Sequence, residues 1–284
     1  MPRLAPLIFV LLWATGFVGA QAGMPYAEPG TFLSMRFVLA FAVLACVSLV
    51  LRAHWPSRRE VAASLVVGML VHGIYLTGVF WAVRHGMPSA VAAVIVGLQP
   101  LVTALLAAKF LGEPLKRHHV IGLGVGFLGV VLVLAPSLDV TGSGINPVTI
   151  SVALLACLGI SCGTVLQRAV GGTRDLRTGT AIQYLGGLIP PALLMLFETR
   201  EVIWTGELVF AFVWLVLVLS VFAVMLLMWL ISQGSVTQVG ALFFLVPGVS
   251  AAMSWALYGS ALAPVQLAGM ALTALAIWFV QRKA

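Results

Sequence analysis

The residues best able to do chemistry in this sequence are few, and each stands in apolar surroundings. His72 and Tyr75 are three apart and share a face if the segment is helical, with Gly68 and Val79 extending that face. An ionisable group in the middle of an apolar span can bind a solute, carry a proton, or sit between helices as a satisfied packing histidine. Gln99 stands directly before Pro100, whereas Val246 stands before Pro247. A proline inside a helix frees the carbonyl one turn back and kinks the rod. Paired interruptions in two halves of a chain point to a solute site, the alternative being a purely structural kink. Only Gln99 can add an amide hydrogen bond beside its proline, so a site there is asymmetric. Arg36 is a cation in a long apolar run, readable as an outer gate, a contact for a substrate carboxylate, or a snorkelling residue paired to carbonyls.

Other chemistries find no support. Cys46, Cys157 and Cys162 form no CxxC pair and have no histidine cluster near them, so they read as small buried hydrophobes and no metal site is expected. Gly124-Val125-Gly126-Phe127-Leu128-Gly129 matches GxGxxG, but no strand precedes it and no acid follows about 20 residues on. The same stretch spaces Gly122, Gly126 and Gly129 for close helix packing in lipid, against a partner in the same chain or in a second copy. No cofactor is implied. Ser143, between Gly142 and Gly144, falls in a loop rather than beside a buried histidine, so an intramembrane protease is not indicated. The net charge of +7 lies in short tracts without exposed aromatics, which argues against nucleic acid.

The elements that must position these residues follow from composition. Of 284 residues, 62% are hydrophobic and 8% charged; soluble domains carry roughly 25% charged residues. Such a surface requires apolar solvent, and a helix crosses a bilayer with about 20 apolar residues. Ten spans are predicted, near 4–23, 30–51, 61–83, 88–111, 118–135, 148–170, 178–197, 208–231, 237–258 and 264–281, giving an all-α integral membrane protein. With both termini cytoplasmic in the plasma membrane, every Lys and Arg except Arg36, Arg84 and Arg200 falls on the inner side. Glu113 and Lys109, four apart at the inner end of the fourth span, are read as anchoring and capping that helix end. The run from Arg3 to Ala22 has the look of a signal peptide, but its Trp13-Ala14-Thr15-Gly16 segment has a counterpart inside the chain and so is expected to belong to the fold.

That counterpart belongs to a repeat. A shift of 147 residues places Gly16 on Gly163, Thr31 on Thr178, Phe37 on Tyr184, Pro100 on Pro247 and Gly122 on Gly269; with a one-residue slip, Trp81 meets Trp229. Five spans per half is an odd number, so the second half enters the membrane from the opposite side, as in many secondary transporters. The expected division is residues 1–136, a linker over 137–147, and an inverted repeat over 148–284 around a central cavity.

Trp13, Tyr75, Trp81, Tyr184, Trp229, Phe243, Phe244, Trp255 and Tyr258 supply aromatic surface, part of it interfacial belt and part able to stack on a solute. Thr15, Ser161, Gln183 and Ser254 add polar contacts. The expected substrate set is Trp13, Thr15, His72, Tyr75, Gln99, Ser161, Gln183, Tyr184 and Phe244, with Pro100, Pro247 and Arg36 as kink or gate. No Asp or Glu lies deep in a span, which predicts a neutral or zwitterionic small-molecule substrate for a monomer or homodimer.

Trp13-Ala14-Thr15-Gly16-Phe17, Arg36-Phe37, Gln99-Pro100-Leu101, Gly112-Glu113-Pro114-Leu115 and Gly122 to Gly129, in that order over ten spans, resemble the drug/metabolite transporter superfamily, specifically its ten-helix amino-acid and metabolite exporters. The resemblance covers the full chain and implies export by alternating access, closest to the aromatic amino-acid exporters; the alternatives are a broad-specificity small-molecule or drug exporter and, in another class, a non-transporting membrane scaffold. Gly259-Ser260-Ala261-Leu262 lacks the acid of Gly112-Glu113, which puts a mirrored role for Glu113 in doubt.

Overall fold

A computed structural model of the chain describes residues 4–138, 144–171, 173–258 and 262–281, with side chains throughout except at 17–22, 254, 257 and 258. Ser143, Ser260 and the side chains of Ser254 and Tyr258 therefore lie outside the described residues.

The spans are α1 (Ala5–Gly23), α2 (Pro29–Val50), α3 (Arg58–Arg84), α4 (Ser89–Phe110), α5 (Arg117–Ser137), α6 (Pro147–Ala169), α7 (Leu176–Phe197), α8 (Gly206–Gln233), α9 (236–258) and α10 (Pro264–Gln281). Nine of them, all but α1, are long and apolar enough to cross a membrane over their described residues. Local chemistry sets their ends. Ser57 and Glu60 form a capping box at the start of α3, and Asn146 accepts from Val148 and Thr149 at the start of α6. Gly86, Gly112 and Gly171, at φ of +91°, +68° and +75°, end α3, α4 and α6 in the left-handed conformation that an L side chain resists.

Asp175 caps α7, accepting from the Arg177 amide at 2.9 Å, and its second oxygen takes the Arg177 guanidinium at 2.6 Å. The Arg177 side chain beside it holds this carboxyl below the usual range. A depressed folded-state pKa adds stability above the unfolded value of about 3.9, lost as pH falls through the folded value. The expected result is that wild type melts higher than Asp175→Asn at about pH 6, and that the gap closes as the pH approaches 2. A gap independent of pH would contradict it.

The packing obeys a two-fold exchange of the halves. Helix α2 packs on α7, α5 on α10, and α4 on the first part of α9; α1 touches α8 and α9 as α6 touches α3 and α4, and α2 meets α8 as α7 meets α3. The bundle is turned inside out relative to a soluble protein. Phe197 and Val50 are 88% and 80% exposed, while Arg36, His72, Gln99, Gln183 and Ser220 are buried. Of the cysteines only Cys157 is buried; Cys46 and Cys162 face outward with the lipid-facing apolar side chains, so the expectation of three buried thiols is corrected.

The glycines of α5 find their partner within the chain. A Cβ on Gly129 would sit 2.8 Å from the Gly269 carbonyl oxygen, and one on Gly269 would sit 2.6 Å from that of Gly129. Gly122 faces Phe279 and Val280, and Gly126 faces the Phe244 ring and Ala276. Small residues here let two backbones touch, giving contact in lipid where no hydrophobic effect drives helices together.

Candidate functional site

Among the described residues, four helices depart from regular geometry in mid-span, in two matched pairs. α3 widens into a π-helix over Met69–Ile74 and α8 over Trp214–Ala223. α4 breaks at Gly97 and Leu98, just before Gln99-Pro100, and α9 tightens to a 3-10 turn over Leu242–Phe244, just before Val246-Pro247. Interruptions of these kinds expose backbone and re-aim side chains, and they concentrate at functional sites.

Between them lies a cavity of about 460 Å³. Its floor is Gln99, Pro100, Phe243, Phe244 and Pro247; Tyr75, Val79 and Phe80 of α3 and Trp13 of α1 form its walls. Met24, Pro25, Val83 and Ser89 line it toward the helix ends remote from both termini. A smaller chamber of about 100 Å³ shares Trp13, Tyr75, Val79 and Phe80 and adds Arg36, Phe37, His72 and Tyr184. The volumes and the mostly apolar lining suit a small organic molecule.

Most of the expected residues converge here. Trp13, His72, Tyr75, Gln99, Tyr184, Phe244, Arg36, Pro100 and Pro247 all line one chamber or both. Thr15, Ser161 and Gln183 do not. Thr15 donates to Leu12 O at 2.6 Å and accepts from Trp214 Nε1 at 3.0 Å, tying α1 to α8. Ser161 donates to Cys157 O at 2.8 Å and lies behind Gln99. Gln183 donates to Gln167 Oε1 at 2.8 Å.

The polar centre is built by symmetry. Arg36 Nε donates to Ser220 Oγ at 3.0 Å, and Tyr184 Oη donates to Ser220 O at 2.7 Å. In the repeat register Arg36 matches Gln183, and His72, with the one-residue slip, matches Ser220. These mates sit against each other across α7 and α3, His72 beside Gln183. The His72 ring stacks on Tyr184 with centroids 4.6 Å apart, and Phe37 packs on Tyr184 at 5.6 Å. Ser220 carries no signal of its own in an apolar run, but the register that pairs Trp81 with Trp229 also pairs it with His72.

At the end that carries the termini, side chains tie neighbouring helices together. Glu113 does not stay on its own helix, as the sequence suggested; its Oε1 accepts from the Val236 amide at 3.0 Å and its Oε2 from the Thr237 hydroxyl at 3.3 Å. The start of α9 has orphan amides and a positive dipole end, and both draw the carboxylate across. Lys109 instead lies 5.4 Å over the Phe110 ring. Arg168 adds a second tie from α6 to the carbonyls of Ile231 and Ser232. At the opposite end Glu198 takes the Gly30 and Thr31 amides at 2.6 and 2.7 Å, joining α7 to the start of α2.

The family model for EamA-like transporters matches residues 4–135 and again 148–282. The chain belongs to the EamA-like transporter family. The expected membership of the drug/metabolite transporter superfamily is borne out, and this transporter is not an enzyme. The uncharacterised transporter YvbV of Bacillus subtilis is 26% identical, covering 96% of this chain and 89% of that one. A probable amino-acid metabolite efflux pump of Salmonella typhimurium is 24% identical over 94% and 90%. A probable terminal-alkyne amino-acid exporter of Streptantibioticus cattleyicolor is 24% identical over 98% and 93%. A solved crystal structure shares the fold at a TM-score of 0.81, covering 98% of this chain and 95% of its own at 21% identity.

Proposed function

We propose that this transporter exports small neutral or zwitterionic metabolites, aromatic or large neutral amino acids above all, by alternating access in the plasma membrane with both termini cytoplasmic. The observation that carries the reading is the cavity of about 460 Å³ with aromatic walls and no acidic residue among its described lining. A cationic drug would want a carboxylate there. Stacking on Trp13, Tyr75 and Phe243 suits an aromatic or large apolar side chain. The names of two relatives, an amino-acid metabolite efflux pump and an amino-acid exporter, point the same way. The tie between the halves at Glu113 and the cavity lining at the other end support a carrier that opens to one side at a time, with the two halves, 1–136 and 148–284, moving against each other.

The test is uptake into proteoliposomes of labelled Trp, Phe, Thr, Glu and a cationic dye, with and without a pH gradient. Trp and Phe are expected to enter and the dye to be excluded. Trp13→Ala is expected to raise the KM for Trp about tenfold, equivalent to about 1.4 kcal/mol, while altering Thr uptake less. Transport of no amino acid by the wild-type protein would defeat the reading.

A further inference from the structure

Arg36 sets a problem that the proposed cargo cavity does not by itself solve. The side chain is 7% exposed in the middle of a membrane bundle. A guanidinium cannot neutralise itself by losing its proton, so in such a place it is matched by an anion or by a full set of acceptors. Neither is present among the described residues. Ser220 Oγ takes Nε, and among the described residues the guanidinium has no other hydrogen-bond acceptor. The ion pair among the described residues is Arg177 with Asp175, at a helix end. Glu28, Glu60, Glu113, Glu198, Glu201 and Glu207 likewise all sit at or beyond helix ends.

The surroundings hold the group in place and leave its outer edge to the chamber. Ser220 is fixed from the other side, because its carbonyl accepts from Tyr184 and its backbone belongs to the π-helix of α8. Arg36, Tyr184 and His72 then line a chamber of about 100 Å³ that shares Trp13, Tyr75, Val79 and Phe80 with the 460 Å³ cavity. The small compartment has room for a carboxylate and little more. The large one has the apolar surface for whatever that carboxylate is attached to. An ammonium group has no such partner. Among the described residues the polar side chains that line the main cavity are neutral, Gln99 and Ser89 among them.

We infer that the recognised group is the carboxylate, held by Arg36, and that the ammonium is tolerated but not required: the cargo class is apolar monocarboxylates, amino acids being one part of it and 2-oxo, 2-hydroxy or unsubstituted acids with the same side chain another. The inference rests on the reading that this cavity holds the cargo, and it extends that cargo from zwitterions to anions that share the carboxylate. Charge-assisted bidentate contacts to Arg are the strong ones among hydrogen bonds, so the discrimination should be large.

The experiment is competition against labelled L-phenylalanine on the full-length protein in nanodiscs, with 3-phenylpropionate, L-phenylalaninamide and phenethylamine. The expected result is that 3-phenylpropionate competes within about threefold of phenylalanine, while the amide and the amine are at least about tenfold weaker. Arg36→Gln should make the acid and the amide equal, and Arg36→Lys should keep part of the preference. If Arg36→Gln fails to fold, the series on wild type and Arg36→Lys decides. An amide or amine that competes as well as phenylalanine overturns the inference while leaving amino-acid export standing. Absence of phenylalanine binding, together with thermal stabilisation by 3-phenylpropionate that Arg36→Lys weakens, does the reverse. Absence of any binding by phenylalanine and 3-phenylpropionate sinks both.

Discussion

Glu113→Ala is expected to loosen the bundle at the end that carries the termini. The Glu113 carboxylate reaches from the end of α4 to the amides of Val236 and Thr237 at the start of α9. A carboxylate accepting backbone amides at a helix N-terminus is held by about 1.5 to 3 kcal/mol per contact, with a further contribution from the helix dipole. Losing it should shift the balance between closed and open forms about tenfold or more toward an opening at this end. Hydrogen exchange is the direct measure: the amides of Val236 and Thr237 should exchange at least about tenfold faster in Glu113→Ala, and the start of α2, held by Glu198, should not change. Glu113→Gln keeps an acceptor without the charge and should fall between. Equal exchange in all three proteins would mean that the contact holds nothing shut.

Gly129→Leu should do more, and to the fold rather than to its balance. Backbones of α5 and α10 meet at Gly129 and Gly269, where even a Cβ would lie under 3 Å from backbone atoms of the other helix. Overpacking in a core costs about 1 to 3 kcal/mol when side chains can give way; backbone cannot, so the cost here should exceed that range and the protein should fail to accumulate or should melt far below wild type. The matched control lies about one and a half turns away. Gly124 is on the same helix with nothing within 4 Å of an added Cβ, so Gly124→Leu should melt close to wild type. Similar behaviour of the two variants would show that α5 and α10 are not held by contact at the glycines.

How far the sequence reached depended on the kind of signal. The span limits were legible because a bilayer imposes one length on every helix and because caps such as Asn146 and glycines such as Gly112 mark the ends. Convergence of His72 and Arg36 on one chamber, and of Gln99, Pro100 and Pro247 on the chamber that shares walls with it, was legible because polar or helix-breaking residues in lipid have few other reasons to exist. The roles of Thr15, Ser161 and Gln183 were not. A hydroxyl in a helix can turn back to a carbonyl one turn earlier, as Ser161 does to Cys157, and no spacing rule tells that orientation from one facing a cavity. Glu113 was placed on its own helix end because sequence proximity was the only evidence; the amides that claim it are 123 residues away. The wide turns in α3 and α8 left no mark in the sequence except the one-residue slip of the repeat, which falls in the same part of the chain.

Those wide turns hold a spare residue each. A π-turn packs one more residue into its length than an α-turn does, and the surplus can pass along a helix turn by turn without displacing either end. Each passage rotates the residues it crosses by about 100°, the angular step of one residue in an α-helix. In α3 that segment carries His72 and in α8 it carries Ser220, the anchor of Arg36. Passage of the surplus along either segment would turn a different chemical face toward the interior and leave the end clamps undisturbed. Because the two spare residues lie at equivalent places in the two halves, the same local slip on either side would dismantle one wall of the carboxylate chamber and leave the opposite wall standing.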